Sequence, residues 1–227
     1  INTLWSGFGG PCNNQNAGDP IVLYDKVADR WLISQFTSNA VGGIYYQCVA
    51  VSTSADAAGS FARWAFAVPG GNFGDYPHFG VWTNAYYMMA HAFGPGGGYA
   101  AGIFAAMDRP QMLAGNPAAT WQVILDPMEG GHMPADLDGF APPPTGAPGI
   151  FLSIHDASMH IYRMKVDFIT PANTLKTLQA TVAIAPATGA CASSASPGTC
   201  LPQPGTTRLL DSLGDVLMFR AAYRNLI

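Results

Sequence analysis

The stretch GVWTNAYYMMAHAFGPGGGYAAGIFAAM, residues 80–107, contains no Asp, Glu, Lys or Arg, and its reading decides the fold. A membrane helix needs about 20 unbroken apolar residues. Gly94-Pro-Gly-Gly-Gly98 cuts this run in half, leaving Ala85–Phe93 and Tyr99–Met107, short and rich in Tyr, Phe and Met. Two buried strands joined by a turn are predicted, and no membrane span.

The same pattern extends in both directions. Upstream, Val22–Asp25, Arg30–Phe36, Tyr45–Val51 and Ala62–Val68 read as four strands. His78–Trp82 and Trp121–Leu125 complete the unit around the uncharged pair, with a helical turn predicted at Pro110–Ala114. Downstream, residues 133–139, Ile150–His155, Met159–Phe168 and Leu178–Ile184 make a third unit, and Asp215–Phe219 with Ala222–Ile227 half of a fourth. Each unit opens on an acidic step: Asp19-Pro20, Asp75-Tyr-Pro77, Asp136-Leu-Asp138 and Asp211-Ser-Leu-Gly-Asp215. Four-stranded antiparallel units in series, none able to bury both faces alone, are what a radial propeller stacks around a channel. The predicted fold is therefore all-β, a β-propeller segment with blades at residues 19–68, 75–126, 133–185 and an incomplete 211–227. A β-sandwich is the alternative. On this reading the chain is cut within a fold, and its open edges pair with the remainder of the propeller or with another chain.

Gly18-Asp-Pro-Ile-Val-Leu-Tyr-Asp25, Arg30-Trp-Leu-Ile-Ser-Gln-Phe36, Asp75-Tyr-Pro-His-Phe-Gly-Val-Trp82, Pro134-Ala-Asp-Leu-Asp-Gly139 and Pro202-Gln-Pro-Gly-Thr206 ahead of Leu210-Asp-Ser-Leu-Gly-Asp215 together resemble a family of large secreted bacterial β-propeller proteins, often fused to cell-surface modules. The resemblance covers nearly the whole chain. It implies the fold and export and supplies no activity. Residues 54–59 with Trp64 are also similar to the Asp-box turn of sialidase-type propellers, with extra residues before the Trp.

Composition narrows the partners. The chain has 227 residues, 49% hydrophobic and 11% charged, enough to bury a core. Ten Lys plus Arg stand against 14 Asp plus Glu, a formal charge of -4, which leaves no footprint for nucleic acid or anionic lipid. A glycan or a protein is the expected ligand. Four cysteines permit three pairings. Cys191 and Cys200 bracket a polar segment that a bridge would pin, which leaves Cys12 with Cys48. Two disulfides imply an oxidising, extracellular or cell-surface location. No signal peptide stands at the start of the sequence.

No catalytic motif is present: no G-x-S-x-G, no phosphate loop, no H-E-x-x-H. The five histidines, His78, His91, His132, His155 and His160, form no ligand motif. His91 reads as a core side chain, and His155 and His160 as exposed flanks of the turn at residues 156–159. The blades as drawn gather Asp19, Asp75, Asp136, Asp138, Asp211 and Asp215 at one channel mouth. There they act either as caps of their own turns or as ligands for a hard cation such as Ca²⁺. Three functions follow from this: a binding or scaffold module without enzymatic activity, a carbohydrate-acting hydrolase or lyase using two of these carboxylates, or a metal-bearing propeller.

Overall fold

The structure, a computed structural model, describes residues 2–13, 15–139, 141–155, 157–186, 191, 199–213 and 216–226. It is all-β and built from several sheets. The first holds β1 (Ile21–Asp25), β2 (Arg30–Phe36), β3 (Tyr46–Ser52) and β4 (Phe61–Ala67) in that order, all antiparallel. The second repeats the meander with β5 (Phe73–Val81), β6 (Ala85–Phe93), β7 (Tyr99–Asp108) and β8 (Trp121–Asp126). The third contains β9 (Met133–Leu137), β10 (Gly149–His155), β11 (Ser158–Lys165) and β12 (Leu175–Ala183). The strands expected from sequence agree with these to within a few residues. β5 starts earlier than expected, at Phe73, because it continues through a bulge between Asp75 and His78. Pro77 sits in that bulge, where it removes no ladder hydrogen bond.

The middle sheet explains the uncharged stretch. Along β6, Tyr86, Met88 and Ala90 face the first sheet, against Leu32, Val49, Val51 and Trp64. Their neighbours Tyr87 and Met89 face the third sheet, against Phe151, Tyr162 and Met164. Successive strand residues point to opposite faces, so a sheet covered on both sides must be apolar at every position. Each fully buried side chain of this size contributes about 1.5–3 kcal/mol. The first strands β1, β5 and β9 lie beside one another.

The end of the chain differs from expectation. Residues 216–219 are not a strand, and β15 (Ala221–Tyr223) does not open a fourth unit. It pairs in parallel with β9, Ala221 opposite Ala135 and Tyr223 opposite Leu137. Ion pairs flank this pairing: Arg220 reaches Asp136 and Asp138, and Arg224 reaches Asp138 at 2.5 Å. β13 (Thr199–Pro202) and β14 (Leu209–Asp211) form a separate hairpin.

Both disulfides pair as expected from the sequence, Cys12 with Cys48 and Cys191 with Cys200. The first ties the N-terminal segment, which carries α1 (Asn2–Trp5), across the outer face of the first sheet. Trp5, Cys12, Cys48 and Ala50 form a small core there, and Arg63 donates to the carbonyls of Leu4 and Ser6 at 2.9 and 3.1 Å. No helix among the described residues is long and apolar enough to cross a membrane.

Candidate functional site

The richest cluster of chemically able side chains lies at the seam of the second and third sheets. In the β10–β11 hairpin Phe151 is opposite Tyr162, Ser153 opposite His160 and His155 opposite Ser158. Residues directly opposite share a face, and alternate residues along a strand share it too. Phe151, Ser153, His155, His160 and Tyr162 therefore form one surface. Phe151 and Tyr162 anchor it in the core, and the two histidines sit toward the hairpin end. Their rings stack with centroids 4.0 Å apart.

Glu129 enters this surface from the β8–β9 connection. Its carboxylate accepts a hydrogen bond from the Tyr162 hydroxyl, meets His155 Nε2 at 2.9 Å and lies 3.7 Å from His160 Nδ1. The loop reaches it by crossing β7 at Gly102. A Cβ at Gly102 would lie 2.6 Å from the Glu129 carbonyl oxygen and 2.9 Å from His132 Cε1. The Tyr99 hydroxyl donates to that same Glu129 carbonyl, and Ser153 Oγ donates to the Gly130 carbonyl at 3.3 Å. Burial pushes the Glu129 carboxyl up, but hydrogen bonds from Tyr162 and His155 outweigh it and hold it below its ordinary value. Beneath the loop, His132 is fully buried, stacked 3.8 Å from Phe104, with Nε2 on the Ile103 carbonyl at 2.8 Å. Burial pushes it down to about 3, so the ring is neutral.

Glu129, His155 and His160 present ligand atoms that all lie within 4.8 Å of one another, a set able to hold a metal ion. They do not form a Ser-His-acid relay. Ser153 Oγ and Glu129 Oε2 both meet the same ring nitrogen, His155 Nε2, at 3.0 and 2.9 Å. A relay needs serine and acid on opposite nitrogens.

A cavity of about 470 Å³ opens beside the cluster. His91, Phe93 and Tyr99 form one wall, mutually edge-on at 5.9 to 6.4 Å, and Glu129, Gly130 and His155 the other. The histidine expectations are corrected here. His155 and His160 are partly covered, with side chains 33% and 22% exposed, because they pack on each other and on Glu129. His91 is half-buried, lines the cavity and accepts from the Gly131 amide at 2.8 Å. Both histidine placements were legible in the period-two pattern of 151–155 and 158–162. Glu129 was not, since nothing local tells where its loop lands.

Of the six aspartates, the five that the structure describes separate into groups. Asp19 and Asp75 come together at the seam of the first and second sheets: burial and then the Asp75 charge raise the Asp19 carboxyl, and Asp75 Oδ1 accepts from the Tyr76 amide at 2.9 Å. Asp136 accepts from the Val81 amide at 2.8 Å and pairs with Arg220. Hydrogen bonds from Arg220 and Arg224 hold the Asp138 carboxyl down, at about 2. Asp211 lies in the separate hairpin and accepts from the Leu213 amide at 2.9 Å, a turn cap. Asp215 lies outside the described residues. Comparison with protein-family models, curated proteins and solved structures returns no match, so fold and site geometry are what bears on function.

Proposed function

We propose that the chain is a β-propeller segment serving as an exported binding module, with its ligand site in the cavity between the second and third sheets. The cavity carries this reading. Its volume falls within the roughly 300–1,000 Å³ of small-ligand pockets, and a few polar groups converge on an aromatic wall. Stacked sheets, each built on a four-stranded antiparallel meander and with adjacent first strands, support the propeller. The two disulfides support export.

The lining suits a neutral saccharide. Aromatic faces cover the apolar side of a sugar ring, and Glu129, His155 and backbone groups meet its hydroxyls. Among the described residues no Lys or Arg lines the cavity, so a phosphate has no charged partner there. In calorimetric titration with a panel of neutral oligosaccharides, at least one is expected to bind. Tyr99→Ala is expected to weaken it by about 0.5–1.5 kcal/mol, roughly two- to tenfold, whereas Tyr99→Phe keeps the ring and most of the affinity. A panel with no binder, or Tyr99→Ala binding like the wild type, would refute the reading.

One observation favours the carbohydrate-acting alternative. The Asp19–Asp75 pair has one raised carboxyl, the property a general acid needs. Asp75 also lines a second cavity of about 350 Å³ with Tyr45, Phe73 and Phe93. Hydrolysis or elimination of an oligosaccharide from the same panel that Asp19→Asn abolishes would make the protein an enzyme, and an inert wild type would remove that alternative. Calcium finds less support. Arg220 and Arg224 already neutralise Asp136 and Asp138, and a hard cation would have to displace both.

A further inference from the structure

We propose that Glu129, His155 and His160 form a binding site for a divalent transition ion of the zinc class. The site stands on side-chain geometry and does not depend on which ligand the neighbouring cavity takes. Two imidazoles and one carboxylate with a remaining open position are an established donor set for Zn²⁺. Bonds of about 2.0–2.2 Å place the ligands of such an ion roughly 3.5 Å apart. Glu129 Oε2 and His155 Nε2 are 2.9 Å apart, Glu129 Oε1 and His160 Nδ1 3.7 Å, and no pair of ligand atoms exceeds 4.8 Å. Side-chain rotation of the two partly exposed histidines closes what remains.

The surroundings support the ligands as a metal site requires. Supporting hydrogen bonds orient ligating side chains and raise their basicity. Here the Tyr162 hydroxyl donates to Glu129 Oε1 and orients the carboxylate, whereas the contacts of that hydroxyl with His160 Nδ1 at 3.3 Å and of Ser153 Oγ with His155 Nε2 at 3.0 Å involve the ligating nitrogens themselves and give way to the ion. Ser153 is itself held by the Gly130 carbonyl. The nearby ammonium of Lys176 sits 4.0 Å over the Tyr162 ring and is neutralised by Asp126. The donor set also selects the ion. Two ring nitrogens suit zinc, copper, iron or nickel, whereas calcium takes six to eight oxygens. The exposed side of the cluster opens on the cavity that His155 and Glu129 line, so a bound ion has room for water or a ligand atom.

The test uses the full chain stripped with EDTA, titrated with Zn²⁺ by calorimetry and with Co²⁺ by visible absorption. One ion per chain is expected, and Co²⁺ is expected to give the intense visible bands of a low-coordinate site. His155→Ala and His160→Ala change partly exposed side chains and are expected to keep the wild-type circular dichroism spectrum. Each is expected to weaken Zn²⁺ binding by more than the roughly 10–100-fold that loss of a supporting residue costs. Tyr162→Phe, which removes only the support, is expected to fall inside that range. Ca²⁺ in excess is expected to leave the Co²⁺ spectrum unchanged. Wild-type protein that takes up no ion, uptake unaltered in both histidine variants, or displacement of Co²⁺ by Ca²⁺ would each overturn the proposal. Saccharide titration of the stripped protein, run in parallel, separates this outcome from that of the cavity reading.

Discussion

Replacing either Asp25 or Arg109 with Ala is expected to destabilise the fold by about 3–5 kcal/mol, because each change strands an unpaired charge in the interior. Asp25 is fully buried at the end of β1, and Arg109 is 7% exposed. Arg109 opens α2 (Arg109–Leu113), the short helix between β7 and β8, which Asp108 caps and Pro110 initiates. From there the guanidinium reaches across to the first sheet and grips the carboxylate with two bonds, Nε to Oδ2 at 2.6 Å and Nη2 to Oδ1 at 3.0 Å. The Tyr86 hydroxyl adds a bond to Oδ2 at 2.8 Å, and the Val27 and Ala28 amides add bonds to Oδ1 at 3.2 and 3.1 Å. Every lone pair of the carboxylate is engaged. Burial pulls the Arg109 guanidinium down, but the Asp25 hydrogen bonds and charge outweigh it and hold it above its ordinary value. A stability of about 5–15 kcal/mol is ordinary for a domain, so the loss is a large fraction of the total. Urea unfolding of the two single variants and of Asp25→Leu/Arg109→Met would measure it. The double variant leaves no orphan charge and is expected to lose less than either single change. Single losses below about 1 kcal/mol, the range of an exposed pair, would show that this clamp does not hold the two sheets together.

Removing the Cys12–Cys48 bridge by Cys12→Ala/Cys48→Ala is expected to cost about 4 kcal/mol, the loop-closure value for its span. It closes 36 residues, against nine for Cys191–Cys200, whose removal is expected to cost only about 2–3 kcal/mol. The larger effect has a local signature. The bridge holds the N-terminal segment over the first sheet, so its loss is expected to expose Trp5, now fully buried. Urea titrations of both double variants, followed by tryptophan fluorescence, check both points. Equal losses from the two bridges, or an unchanged emission maximum in the Cys12/Cys48 variant, would contradict the assignment of the first bridge as the clamp on that face.

Local pattern accounts for the strands and for little of the site. Residues 80–107 could be read as two strands because Gly94–Gly98 interrupts an apolar run, and both strands stand where that reading put them. That His155 and His160 share one face needed only the hairpin register, which the alternation of residues 151–162 contains. Glu129 needed the path of a loop over Gly102. Asp25 reads locally as a turn residue before Lys26, and nothing in its neighbours announces Arg109, 84 residues away.

The sequence by itself determined the all-β class and the strands of three four-stranded antiparallel meanders, since apolar alternation and turn residues act over a few residues, and its expected disulfide pairings agree with the structure. Only the tertiary structure decided which charges meet. It paired Asp136 and Asp138 with arginines that flank β15, laid that strand parallel to β9 and drew Glu129 to two histidines. The reason is physical: a buried charge is stable only with a partner, and that partner is supplied by whichever distant segment the packing of the sheets brings within about 4 Å, a distance that no local pattern records.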